Sequence, residues 1–134
     1  TRDQNVIFIL DEVISGFRVA PGGFHMLVEK KGSANVIRIT SDPPENFCRP
    51  AVDPMFRAVA KVYGRNVLAV ILTGMGRDGA AGGKAIVDAG GTVIAQDEAT
   101  SIVWGMPGAA AEAGICSKIL PLPEIAPAIA KLAT

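Results

Sequence analysis

Cysteine, histidine and aromatic residues are scarce in this 134-residue chain, which has two cysteines, one histidine, one tryptophan, one tyrosine and five phenylalanines. Cys48 and Cys116 stand far apart in no metal-ligand spacing, which argues against a thiolate metal site and against a disulfide-stapled secreted module. Both thiols are expected to be reduced, as in a cytoplasmic protein. Neither sign of charge is in excess: thirteen basic and thirteen acidic residues are interspersed along the length. Such a chain lacks the one-signed field that draws nucleic acid or an anionic membrane. Long apolar runs are missing too. The run at residues 67–72 falls well short of the ~20 residues of a membrane span, and residues 1–15 lack the blocks of a signal peptide. The first residue is threonine, so the expectation is a chain cut from something larger.

With 49% hydrophobic residues, the length suits one core rather than two. Residues 24–28 and 36–40 flank the turn signal Lys30-Lys31-Gly32-Ser33-Ala34, which predicts a β-hairpin. Residues 17–20 run into Pro21-Gly22-Gly23 and could add one short strand before it, and the proline-rich stretch 41–50 reads as a loop. The rhythm then changes. Asp53-Pro54 offers an N-cap and a first-turn proline to a helix in which Met55, Phe56, Val59, Ala60, Val62 and Tyr63 recur at helical spacing, until Gly64 ends it. A strand at 67–72, a glycine-rich loop, a helix at about 80–89 and a strand at 92–95 form a βαβ unit. Both strands are apolar without alternation, as strands covered on both faces are. A helix near 107–113, a strand at 115–120 and a helix after Pro123 carrying Ile125, Ile129 and Leu132 complete an α/β pattern.

In parallel sheets, ligands and catalytic groups gather beyond the carboxyl ends of the strands. Here that place is Thr73-Gly74-Met75-Gly76-Arg77-Asp78-Gly79. Gly74, Gly76 and Gly79 fit G-x-G-x-x-G between a strand and a helix, with Asp97 at the end of the next strand, which is the spacing of a nucleotide-binding Rossmann-like site. Asp78 argues against that reading, because a carboxylate there repels a pyrophosphate from the helix N-terminus. A fixed negative charge, kept ionised by helix N–H groups, instead suits the orientation of a histidine that cycles through its cation. Asp78 equally fits a plain N-cap for the helix beginning at Ala80, a role in which asparagine would serve nearly as well. The glycines also fit a mere tight turn, and Met75 a loop filler.

Other candidates are weaker. His25, the sole histidine, alone reads as a hydrogen-bonded structural residue more readily than as a base. None of the serines has the G-x-S-x-G surroundings of a nucleophile elbow. Neither cysteine has a recognisable activating neighbour. Gln96-Asp97-Glu98 reads as a solvated strand end.

Several blocks agree in order and spacing with one family. Leu72-Thr73-Gly74-Met75-Gly76-Arg77-Asp78-Gly79-Ala80, Ala89-Gly90-Gly91, Ile94-Ala95-Gln96-Asp97-Glu98 and Trp104-Gly105-Met106-Pro107 resemble the chemotaxis protein-glutamate methylesterase (CheB) family. Ala20-Pro21-Gly22-Gly23-Phe24-His25-Met26, Ser41-Asp42 and Pro50-Ala51-Val52-Asp53 extend the likeness from about Gly16 to the C-terminus. The resemblance implies a doubly wound, mostly parallel α/β sheet with an antiparallel hairpin excursion, lacking here its N-terminal strands. It implies a cytoplasmic serine-type ester hydrolase that removes methyl groups from glutamyl esters of chemoreceptor helices, deamidates certain receptor glutamines, and uses no cofactor or metal. Its triad aspartate carries over to Asp78. Met75, Gly76, Gly79 and His25 fall in the site's vicinity, His25 without being the triad histidine. The nucleophilic serine, the catalytic histidine and the regulatory receiver domain would precede residue 1. The chain alone is then expected to be an inactive part of the catalytic domain, and two other readings stay open: the nucleotide site, and an inert regulatory remnant.

Overall fold

A computed structural model describes residues 6–7 and 23–133; the possible short strand at 17–20 lies outside them. The described elements are β1 (Val6–Ile7), β2 (His25–Lys31), β3 (Ala34–Thr40), α1 (Val52–Tyr63), β4 (Val67–Ile71), α2 (Ala80–Asp88), β5 (Thr92–Gln96), α3 (Met106–Glu112), β6 (Lys118–Leu120) and α4 (Leu122–Leu132). β1, β4, β5 and β6 form a parallel sheet in that order, and β2 and β3 pair as a separate antiparallel hairpin with Lys31 opposite Ala34.

Every residue of β4 is buried, and in β5 only Thr92 is partly exposed. Alternate residues of these strands serve two apolar clusters. Ala69, Ile71, Val93 and Ala95 pack with Met55, Phe56 and Val59 of α1, Ile86 of α2, Ala110 of α3, and Met26 and Val28 of the hairpin. Leu68, Val70 and Ile94 turn to the other face, where Ile125, Ala128 and Ile129 of α4 cover them. Helices on both faces explain why neither strand alternates. The α/β architecture with its hairpin excursion is therefore as the periodicity predicts.

Some boundaries differ. α1 begins at Val52 with Ala51 as N-cap, so Asp53 and Pro54 are its second and third residues rather than cap and first residue. Pro54 is tolerated there because first-turn N–H groups have no partner within the helix. β6 covers only 118–120 of the expected 115–120, and Ile115 is instead a buried anchor in the connection before it. α4 starts at Leu122, ahead of Pro123. β1 is a parallel neighbour of β4 that no local pattern revealed.

Candidate functional site

The loop after β4 meets the N-termini of two helices, and each helix is capped by an aspartate belonging to the other. Asp78, just ahead of α2, receives the Val52 N–H on Oδ2 at 2.6 Å and the Asp53 N–H on Oδ1 at 3.0 Å, the first two N–H groups of α1. Asp53, in the first turn of α1, receives the N–H groups of Gly79 at 2.9 Å and Gly82 at 2.6 Å on its Oδ1, at the start of α2. Asn46 closes the arrangement, its Nδ2 donating to Asp53 Oδ2 at 2.8 Å and Asp78 Oδ1 at 3.0 Å. The expected N-cap role of Asp78 on its own helix is thus corrected: Gly79 is the N-cap of α2, and Asp78 caps α1.

Two glycines make this crossing possible. Gly79 has φ +98°, a left-handed conformation that turns the chain between Asp78 and α2. At Gly82 a Cβ would stand 2.7 Å from Phe56 Cβ and 2.9 Å from both Cα and O of Asp53. Only a glycine lets the two helix starts approach this closely.

Both carboxylates are buried, Asp53 at 3% and Asp78 at 7% exposure. Burial, the largest influence, pushes the Asp78 carboxyl above its ordinary value, and the neighbouring Asp53 charge adds to this. The Val52, Asp53 and Asn46 hydrogen bonds pull the other way. The helix N–H groups therefore oppose, without overcoming, the cost of removing this charge from water. Among the described residues Oδ1 accepts two bonds and Oδ2 one, so Oδ2 keeps the greater acceptor capacity for a further donor.

His25 is 1% exposed, and both ring nitrogens are engaged by backbone: Nδ1 accepts the Ala51 N–H at 3.2 Å, and Nε2 lies 2.9 Å from the Pro43 carbonyl. These bonds require the proton on Nε2 and leave no nitrogen for proton transfer. His25 ties the hairpin to the loop that leads into α1, one residue ahead of Val52. Its connection to Asp78 runs through the backbone.

The rest of the loop is held from the opposite side. Thr73 Oγ1 donates to the Val103 carbonyl at 3.1 Å and accepts the Val103 N–H at 2.8 Å, while the Gly74 carbonyl accepts the Met106 N–H at 2.8 Å. Met75 is 76% exposed, and Gly76 and Arg77 are exposed beside it. Gln96 corrects the expectation of a solvated strand end. It is 1% exposed, its Oε1 accepting the Thr73 N–H at 2.8 Å and its Nε2 donating to the Thr100 carbonyl at 2.8 Å. A glutamine is retained inside because both ends of its amide are paired.

This geometry removes the nucleotide reading. The α2 N-terminus that would receive pyrophosphate is already filled by Asp53, and Asp97 is turned onto Thr100, whose N–H and Oγ1 donate to its Oδ1 at 3.0 and 2.6 Å. A nucleophilic thiol fares no better. Cys48 is exposed, yet partial burial of its sulfur and the nearby Asp78 charge push its thiol up, and burial does the same to Cys116. A cleft of about 560 Å³ lies among Arg77, Trp104, Gly105, Gly108 and Glu112, but neither Asp78 nor any of its hydrogen-bond partners Asn46, Val52 and Asp53 lines it. Among the described residues no set of three or more metal-ligating side chains converges, and no helix is long and apolar enough to cross a membrane.

Sequence reasoning singled out Asp78 and missed Asn46 and Asp53 as its partners. Asp53 carried a signal, an aspartate at a helix start, but that signal pointed to its own helix. Asn46 lay unmarked in a loop.

The buried Asp78 thus stands on a glycine-rich loop at the carboxyl edge of the parallel sheet, where the ligand-binding and catalytic groups of α/β folds gather. Residues 15–129 match the CheB methylesterase family, and the chain belongs to it. It is 69% identical over 124 residues to the "Protein-glutamate methylesterase/protein-glutamine glutaminase 1" of Paramagnetospirillum magneticum, covering 91% of this chain and 32% of that protein. With the Azospirillum brasilense "Protein-glutamate methylesterase/protein-glutamine glutaminase" it shares 65% identity over 117 residues, 87% of this chain and 30% of that protein. The crystal structure of the Thermotoga maritima CheB methylesterase catalytic domain superposes with a TM-score of 0.81 at 37% identity, covering 84% of this chain and 60% of that one. The chain thus spans about a third of the length of the curated relatives it matches.

Proposed function

We propose that this chain is the C-terminal part of a protein-glutamate methylesterase catalytic domain and supplies Asp78 as the aspartate of a Ser-His-Asp triad, the serine and histidine coming from upstream residues. The observation that carries the reading is the Asp78 carboxylate: buried, held through both oxygens by the α1 N-terminus, and retaining acceptor capacity on Oδ2. A histidine donating one ring N–H to Oδ2 would be fixed in the tautomer whose other nitrogen can take the serine proton.

The serine oxygen then attacks the glutamyl ester carbonyl as the histidine takes its proton. Asp78 stabilises the imidazolium, and the histidine returns the proton to the departing methoxide, which leaves as methanol. Water, deprotonated by the same histidine, hydrolyses the acyl-enzyme and restores the serine. With a glutamine the leaving group is ammonia, in keeping with the paired names of the relatives. The substrates would be cytoplasmic helices of methyl-accepting chemoreceptors, and a receiver domain in the same polypeptide would regulate access, both in the cytoplasm.

The test is methanol release from methylated receptor by the polypeptide extended upstream, by its Asp78→Asn variant and by the 134-residue chain alone. The extended protein turns over. Asp78→Asn falls by roughly three to four orders of magnitude, and the chain alone stays at background. Near-normal turnover in Asp78→Asn, or release proportional to the concentration of the isolated chain, defeats the proposal.

A further inference from the structure

We infer that Asn46 is a positioning residue of this esterase: its amide clamps Oδ1 of Asp78 and thereby holds Oδ2 toward the triad histidine. The inference rests on the assignment of Asp78 made above.

Asn46 lies 32 residues from Asp78 in sequence and reaches it from the loop between β3 and α1. It sits in a tight two-residue turn in which Glu45 and Cys48 exchange backbone hydrogen bonds at 3.0 and 2.8 Å. Asn46 has φ +53° and Phe47 φ +62°, both left-handed. Asparagine accepts that conformation more readily than most residues, whereas phenylalanine does not. The turn is therefore held in place, in part by the two bonds that Asn46 sends inward.

The chemistry of the clamp requires an amide. Two buried carboxylates share one nitrogen, and each takes one of its two hydrogens. A hydroxyl has one hydrogen and can serve only one of them, and a carboxylate would add a third negative charge. With the Oδ1 position occupied by Asn46 and the Asp53 N–H, the carboxylate plane cannot turn away from this orientation without leaving Asn46 and Asp53 unpaired. The stated geometry thus selects which oxygen remains for the histidine.

Charged and titratable groups around Asp78 come from each neighbouring element. Asp53 faces it from α1, as does Arg57, which is ion-paired with Glu45 of the turn, and Cys48 stands beside it in the turn. Among the described residues Asn46 is the one neutral side chain that bonds directly to Asp78. Without its donors Asp78 is a stronger base. A histidine in contact with it then holds its proton to higher pH, so the acid limb of activity moves upward.

The experiment compares the upstream-extended protein with Asn46→Gly, which keeps the left-handed turn without strain and removes the amide, and with Asn46→Asp, which keeps the shape and replaces the donors with charge. The expected outcome for Asn46→Gly is a kcat lower by roughly 10- to 100-fold, the worth of a charge-assisted bond. Its KM for methylated receptor stays within about twofold, because the clamp acts on the catalytic groups and not on substrate contacts. The acid limb of kcat/KM rises by about half a pH unit or more. Asn46→Asp shifts the limb in the same direction and does not rescue kcat. Parent-like kcat and pH profile in either variant, with Asp78→Asn inactive, overturns the role of Asn46 and leaves the esterase reading standing. An active Asp78→Asn overturns both. If Asn46→Gly is unstable, the profile of Asn46→Asp decides alone.

Discussion

Replacing Asp78 by asparagine tests structure and chemistry together, and the crossed caps set its magnitude. Three donors converge on the carboxylate, Val52 N–H on Oδ2 and Asp53 N–H with Asn46 Nδ2 on Oδ1. An amide has one oxygen. Placed at Oδ1 it keeps two bonds and sets its NH2 against the Val52 N–H; placed at Oδ2 it keeps one and opposes two donors. The first orientation is preferred, and it loses the 2.6 Å bond. A bond from a buried backbone N–H to a charged acceptor contributes about 1.5–3 kcal/mol. Relief of burial and of the Asp53 repulsion, both of which raise the Asp78 pKa, offsets part of that. A net cost of about 1–2 kcal/mol follows, or a fall in Tm of roughly 2–8 °C in a domain of this size class. The usual rule that asparagine caps nearly as well as aspartate presumes a single accepting oxygen; here both are in use. Differential scanning calorimetry of both proteins, run beside the methanol assay, gives the two readouts. An unchanged Tm would refute the account of Asp78 as the cap of α1, whatever happens to turnover.

The Asp53→Asn change should cost less than Asp78→Asn, because the amide oxygen can keep both α2 N–H groups and the bond it loses comes from Asn46, an exposed residue whose freed N–H meets water; an equal or larger drop in Tm would contradict this. Gly82→Ala should lower stability by about 1–3 kcal/mol, read as a lower urea midpoint, since the new methyl meets Phe56 and Asp53 inside 3 Å, and an unchanged midpoint would mean that the helix starts are not pressed together. Burial raises the Asp78 pKa above 3.8, so the folded state holds this proton more tightly than the unfolded chain. The stabilisation linked to that proton is complete below about pH 3.8 and is lost as pH rises through the raised value. Subtracting the stability of Asp78→Ala from that of the parent should therefore give a larger difference in acid than at neutral pH, and the opposite sign would refute the shift.

Much of this protein could be read along the chain. The apolar runs in β4 and β5 require cover on two faces, and α2, α3 and α4 supply it. The spacing of Met55, Phe56, Val59 and Ala60 defines the buried side of α1. The loop from Thr73 to Gly79 stands out because a strand end, three glycines and an acid coincide, and the resemblance to a family then attaches a role to Asp78. These signals are local: they depend on residues within one turn, one strand or one loop.

Tertiary structure alone decided which groups meet. An unpaired helix N–H donates to any oxygen that reaches it at about 3 Å, and sequence favours the nearest candidate, so Asp53 and Asp78 each read as caps of their own helices. The absence of a side chain at Gly82 lets α1 and α2 start side by side, and each acid then finds the other helix closer. Gln96 reads as solvated because its neighbours in sequence are charged, yet the chain folds Thr73 and Thr100 onto its amide. Asn46 carries no signal at all along the chain. Its place between two carboxylates exists only where the loop before α1 crosses the one before α2, since a hydrogen bond depends on distance in space and 32 residues of chain place no constraint on it.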